Sequence, residues 1–232
     1  LASSSGFGGR RVNHRGDLPS VSKGASRCGS RCIGRSLVGH GLKRFVGVAR
    51  CGPHPSEVYF WDVAHELPID MTLPRVARLQ QLVPPLKALL EGECCGWTNL
   101  ANAAAAVFSA TGWHWVGFYL VDEVKDNLVL GPFQGPVACT RLFRGKGVCA
   151  SAWEQKKIQV VPDVQEFPGH VACSSASRSE VVLPVLNEDG KVVAVWDIDS
   201  AKVNDFTDAE VGALLDLTGL VSVKWNDWTW SI

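Results

Sequence analysis

Two apolar runs joined by a short polar turn constrain this chain most. Residues Glu180–Leu186 and Val192–Ile198 flank Asn187–Gly190 and read as a β-hairpin. Upstream, Trp115–Val121, Asn127–Phe133 and Val137–Leu142 read as three further strands, the first two joined by a Lys125-Asp126-Asn127 turn. A short strand falls at 158–161, and an irregular stretch runs from Pro162 to Ser177. Helical spacing appears before, within and after this group. Val76, Leu79, Leu82, Val83, Leu86, Leu89 and Leu90 mark a helix that Pro84-Pro85 should kink or restart and that Gly92 ends. A second helix from Trp97 or Thr98 to Thr111, capped by Thr98 or Asn99, is predicted. A short one spans Val148–Gln155, and Phe206–Val221 forms the last, with Thr207 or Asp208 at its cap. Hairpin connections among most strands, with helices around them, imply an α+β fold built on an antiparallel sheet.

The charge is distributed unevenly. The 232 residues carry 23 basic and 23 acidic side chains, for a net charge of zero. Yet residues 1–56 hold ten of the Lys and Arg and one acid, Asp17. Ser/Gly/Arg-rich, acid-poor sequence of this kind suits a disordered tail or an organellar transit segment. A nucleic-acid arm is disfavoured, because no aromatic residue interleaves the basic charges before Phe45. Residues 1–70 are therefore expected to stand apart from one domain at 71–222, followed by a Trp-rich extension at 223–232. The chain starts with Leu, and its one Met is Met71, so a start at Met71 or a fragment is expected. The expected location is cytoplasmic, or organellar if the transit reading holds. No apolar run approaches the ~18 residues of a membrane-spanning helix, so no membrane partner is expected.

Eight cysteines without a signal peptide point to metal binding or thiol chemistry rather than a disulfide scaffold. Cys28 and Cys32 lack a nearby second pair, and Cys51, Cys94 and Cys95 suggest no role. Cys139, Cys149 and Cys173 fall in the strand-and-loop half, at spacings unlike a zinc ribbon or finger. Cys139 reads as a strand residue. Cys149 sits in the first turn of a helix, which should lower its pKa. Cys173 follows His170 by three residues in a loop. Buried small hydrophobes are the bland alternative for all three. Asp197 and Asp199 end an apolar strand on one face; buried together, one should keep a proton near neutral pH. Two acids so placed would also suit a divalent metal. Glu180 is either a solvated strand start or a group aimed into a pocket. Trp115 and Tyr119 share a strand face, and ordinary core packing accounts for them.

Seven ordered strings carry a resemblance: Trp115-Val-Gly-Phe-Tyr119, Leu130-Gly-Pro-Phe-Gln-Gly135, Val137-Ala-Cys139, Gly145-Lys-Gly-Val-Cys149, Pro168-Gly-His-Val-Ala-Cys173, Ser179-Glu-Val-Val-Leu-Pro184 and Asp197-Ile-Asp-Ser200. Over residues 75–222 the chain resembles the free methionine-(R)-sulfoxide reductases, which are single GAF-domain enzymes. The resemblance implies a GAF fold, a six-stranded antiparallel sheet flanked by helices, with a small enclosed pocket. It implies an oxidoreductase that acts on the free amino acid through sulfenic acid and disulfide chemistry, recycled by thioredoxin and NADPH, with no bound cofactor and no metal. Cys173 matches the nucleophile, Cys139 the main resolving thiol and Cys149 a second resolving or relay thiol. Glu180, Asp197 and Asp199 match carboxylates that hold the sulfoxide oxygen and the substrate amine. Trp115 and Tyr119 match an aromatic wall. The helix-terminus argument instead singles out Cys149 as the most acidic thiol. A homodimer is left open, since GAF domains often dimerise.

The sequence departs from the family at Trp196, where Leu is usual, and at Ala194, where Gly is usual. Trp196 should face away from the two Asp and alter packing behind the sheet. Three other readings compete. A GAF sensor would bind a small ligand without turnover, a zinc or redox switch would use the cysteines, and nucleic-acid binding would rest on the basic tail alone.

Overall fold

The computed structural model describes residues 67–171 and 173–231. The basic segment and Cys28, Cys32 and Cys51 lie outside these residues. Helix α1 (Arg75–Gln81) gives way to α2 (Val83–Gly92) at Leu82, whose amide still bonds the Arg78 and Leu79 carbonyls. Pro84 and Pro85 restart the helix in its first turn, where their missing N–H groups have no intrahelical role.

Helix α3 (Gly96–Thr111) begins earlier than its composition suggests. Cys95 is the N-cap, and Thr98 and Asn99 lie inside the first turn. The C-terminal end of the chain sets this register. The Gly96 amide donates to the Thr229 carbonyl at 2.9 Å, and the Thr229 amide to the Cys94 carbonyl at 2.7 Å. A Cβ on residue 96 would meet the Trp230 ring at 2.7 Å, so only glycine admits the tail. At the far end Gly112, with φ +67°, closes α3 in the left-handed region.

The strands are β1 (Trp115–Asp122), β2 (Asn127–Gln134), β3 (Arg141–Phe143), β4 (Gln159–Val161), β5 (Ser179–Leu186) and β6 (Val192–Ser200). They form one sheet of order β3-β2-β1-β6-β5-β4, and every adjacent pair is antiparallel. This is the six-stranded, helix-flanked antiparallel α+β architecture that the resemblance implies. The third strand is shorter than its apolar residues imply. Residues 135–140 leave the sheet after Gly135, whose φ of +124° is closed to most side chains, and Pro136, which offers no ladder N–H. Cys139 is therefore a loop residue, not a strand residue.

Alternation along β6 gives the sheet its two faces. Trp196 and Ile198 are fully buried on the side covered by α1, α2, α3 and α5 (Asp208–Lys224), where Trp196 stacks on Phe118 at 4.6 Å. Asp197 and Asp199 face the other side, which α4 (Gly147–Gln155) and the long loops cover. The departure at Trp196 thus sits behind the sheet, as its parity requires.

Residues 223–231 are not an appendage. Helix α5 runs on to Lys224, and Trp225 and Trp228 are buried in the same core as α2 and α3. Trp230 packs on Trp225 at 4.4 Å and edge-on to Trp97 at 5.5 Å, and the Trp97 indole donates to the Trp230 carbonyl. Four indole rings packed together, Trp97, Trp225, Trp228 and Trp230, outweigh the entropy of ordering a short tail. Helix α5 starts with a reciprocal cap: Thr207 accepts from the Glu210 amide, and Glu210 accepts from the Thr207 amide. Arg75 ties this turn to α1 through Glu210 and Asp205. Thr207→Ala is expected to cost about 1 kcal/mol, read as a lower urea midpoint with an unchanged slope.

Candidate active site

The sheet face covered by α4 carries a cavity lined by three strands, that helix and two loops. From β1 come Trp115 and Tyr119; from the first turn of α4, Cys149; from β5, Glu180; and from β6, Asp197 and Asp199. The loop after the 3₁₀ turn Val164–Glu166 adds His170, Cys173 and Ser177. Cys139 joins through a disulfide to Cys173, which bridges the 135–140 loop and the 168–178 loop with 5.2 Å between Cα atoms. All eight residues expected at the site therefore gather at one place, although they span 85 positions of sequence.

Local structure explains each placement. Trp115 and Tyr119 share a face because side chains alternate along a strand. Their rings stack at 5.9 Å, and Trp115 also stacks on Phe133 at 5.3 Å. Core packing and pocket lining are the same act here, so the plain packing reading was incomplete. Both rings also fasten the loop above: the Trp115 indole donates to the Pro136 carbonyl, and the Tyr119 hydroxyl to the Cys139 carbonyl at 2.9 Å. His114 and Ser174 approach to 3.1 Å and pin the opposite loop to the start of β1.

The acids converge because β5 and β6 pair in register. Glu180 lies opposite Asp199, and Val182 opposite Asp197. Glu180 and Asp197 are 5% and 7% exposed. The Cys149 thiol donates to Glu180 Oε1 over 3.9 Å. Burial, with the negative charge of Asp199 behind it, pushes the Asp197 carboxyl well above its usual range. Burial and then the Asp197 and Asp199 charges do the same to Glu180. Asp199, less enclosed and hydrogen-bonded to Ser177, is raised by burial to about 6. Among the described residues, Asp197 Oδ1 is buried without a hydrogen-bond partner.

The same environment overturns the expectation for Cys149. Its position in the first turn of α4 should have favoured a thiolate. Instead burial, then the Asp197 and Glu180 charges, drive the thiol well above its ordinary value. Burial, with two nearby carboxyl groups, outweighs one helix terminus. At Cys95, the N-cap of α3, the Thr98 hydroxyl and then its amide hold the thiol low.

His170 was missed as a site residue, although its place three residues before Cys173 was visible. Its Nε2 lies 3.8 Å from Glu180 Oε2. Burial lowers its pKa, which keeps the ring neutral near pH 7. Cys149, Glu180 and Asp197 each offer a ligand atom within 4.8 Å of the others and could also hold a cation. Chemically, the arrangement keeps carboxyl groups whose pKa burial raises beside a disulfide-linked cysteine pair in a small cavity.

Comparison with known proteins agrees with this geometry. A family model described as the GAF domain matches residues 98–224. The chain is 49% identical over 142 residues to GAF domain-containing protein A of Dictyostelium discoideum, covering 61% of this chain and 89% of that protein. It is 38% identical over 150 residues to the free methionine-R-sulfoxide reductase of Saccharomyces cerevisiae, covering 62% and 83% respectively. Among solved structures, the free methionine-R-sulfoxide reductase of Neisseria meningitidis in complex with its substrate superposes with a TM-score of 0.67 at 41% identity. The match covers 70% of this chain and 96% of that one.

Proposed function

Since the chain belongs to the GAF domain family, and within it to the free methionine-(R)-sulfoxide reductases, we propose that it reduces free L-methionine-(R)-sulfoxide to methionine by cysteine chemistry. The observation that carries this reading is the Cys139–Cys173 disulfide, closed against a cavity that holds three carboxyl groups. An enclosed cavity accepts a free amino acid and excludes the same group within a peptide.

In the proposed cycle the Cys173 thiolate attacks the sulfoxide sulfur while a protonated carboxyl, Glu180 or Asp197, protonates the oxygen. Methionine leaves, and the oxygen remains as a sulfenic acid on Cys173. Cys139 attacks that sulfur, water departs, and the disulfide forms. Two electrons from an external dithiol, thioredoxin recharged by NADPH, restore both thiols. Trp115 and Tyr119 pack against the methylthio end, and the carboxylates accept from the substrate ammonium group. Cys149, protonated and buried, takes no part in the first attack. It stands as a secondary resolving thiol. No bound cofactor is needed, because the substrate is the oxidant and the cysteines are the reductant.

The test is thioredoxin-coupled NADPH consumption with the separated R and S sulfoxides of free methionine. Consumption with the R form alone is expected. Turnover of only the S form, or only of peptide-bound sulfoxide, would overturn the reading.

A further inference from the structure

Sulfoxide reduction needs a proton delivered to a place that water hardly reaches. Glu180, Asp197 and Cys149 are each 7% exposed or less. His170 occupies the boundary between these groups and solvent, its side chain 16% exposed and its Nε2 3.8 Å from Glu180 Oε2. The loop that carries it turns tightly and is anchored to a helix. The His170 amide donates to the Phe167 carbonyl at 3.1 Å, and the Gly147 amide donates to the Gly169 carbonyl at 3.0 Å, which anchors the loop to the start of α4.

We propose that His170 is the proton entry of this site, relaying protons from solvent to Glu180. The proposal rests on the reductase reading above. The separation of 3.8 Å is one short rotation, or one bridging water, from a hydrogen bond, and such contacts tighten when substrate binds. The titratable and charged groups that line the cavity with the ring are Glu180 from β5, Asp197 and Asp199 from β6, Tyr119 from β1, and Lys146 and Cys149 at the start of α4. Lys146 is a solvent-exposed ammonium group, and Tyr119, raised by burial, keeps its proton throughout. A neutral imidazole, held so by burial, can take up a proton on one nitrogen and release one from the other. Each turnover balances: Glu180 gives one proton to the sulfoxide oxygen and regains one from His170, which takes one from water. The electron pair comes from the Cys173 thiolate, and none passes through the ring. His170 is thus a positioning and relay residue that acts through Glu180.

The experiment compares single-turnover methionine release by the reduced full-length wild type, His170→Gln and His170→Ala, as a function of pH and substrate concentration. His170→Gln should lower the saturating rate by about 100-fold while the half-saturating substrate concentration changes little. Added imidazole should restore His170→Ala, with a rate that follows the fraction of protonated imidazole. A His170→Gln rate within twofold of wild type and an unchanged pH profile would overturn the proposal and leave Asp199 as the entry. A loss that imidazole does not rescue, or one confined to substrate affinity, would also overturn it by making the role structural. If the wild type itself releases no methionine, the reductase reading fails and the relay fails with it.

Discussion

Cys173→Ser is expected to release no methionine from the R sulfoxide, even in a single turnover at stoichiometric enzyme. Cys139→Ser is expected to release one equivalent at close to the wild-type rate and then stop. The two residues share one bond, yet the proposed roles divide cleanly in time. Only the thiolate that meets the sulfoxide sulfur is needed for the first methionine, and only its partner is needed to clear the sulfenic acid. Rapid-quench measurement of methionine, paired with thiol titration, separates these effects. Cys149→Ser supplies the control, because a thiol that burial and two carboxyl groups keep protonated is a poor nucleophile. Loss of the first turnover in Cys149→Ser alone would reassign the nucleophile.

Asp197→Asn is expected to slow methionine release by roughly 10²-fold, because in the proposed cycle Asp197 sits against Glu180, the proton donor, and accepts from the substrate ammonium group. The same change is expected to make the protein more stable above neutral pH. A carboxyl whose pKa is raised on folding stabilises the fold fully below its unfolded value, and the benefit is lost as pH rises through the folded value. Wild-type stability should therefore fall from about pH 4 to about 6 as Asp199 ionises, and fall further at higher pH as Asp197 and Glu180 are forced to ionise. The amide removes one of these charges. Urea midpoints for wild type and variant should nearly coincide at pH 4 and separate by pH 8, with the variant higher. A lower midpoint for the variant at pH 8 would show that the carboxylate stabilises the fold.

Much of this was visible in the sequence because strand parity is a strong rule. Asp197 and Asp199 could only share a face, and Trp196 could only face away from them. The β5–β6 hairpin was legible from its polar turn. What was not legible depended on distant parts of the chain. The start of α3 follows from the Trp230 ring lying on Gly96, a contact between residues far apart in sequence. Cys139 was misread as a strand residue because Val137 and Ala138 are apolar. Pro136 and Gly135 end the ladder there, and Val137 is 87% exposed. The Cys149 error had a different origin. A helix terminus can be read locally, whereas the burial and the two carboxyl groups that overrule it come from elements distant in sequence. His170 escaped notice because its partner, Glu180, is ten residues away across a loop of irregular course.

The order of the strands also determines when the site comes into being. Strands β1, β2 and β3 are neighbours in sequence, as are β4, β5 and β6, and the two halves meet only where β1 pairs with β6, Trp115 opposite Asp199. The aromatic wall belongs to one half and the acids to the other. Closing that central seam costs the loop entropy of the long intervening chain and pays back only once both halves exist. A chain that has formed only its local hairpins already holds the three acids together on β5 and β6 but has no pocket, so those acids stay in water until the central seam closes.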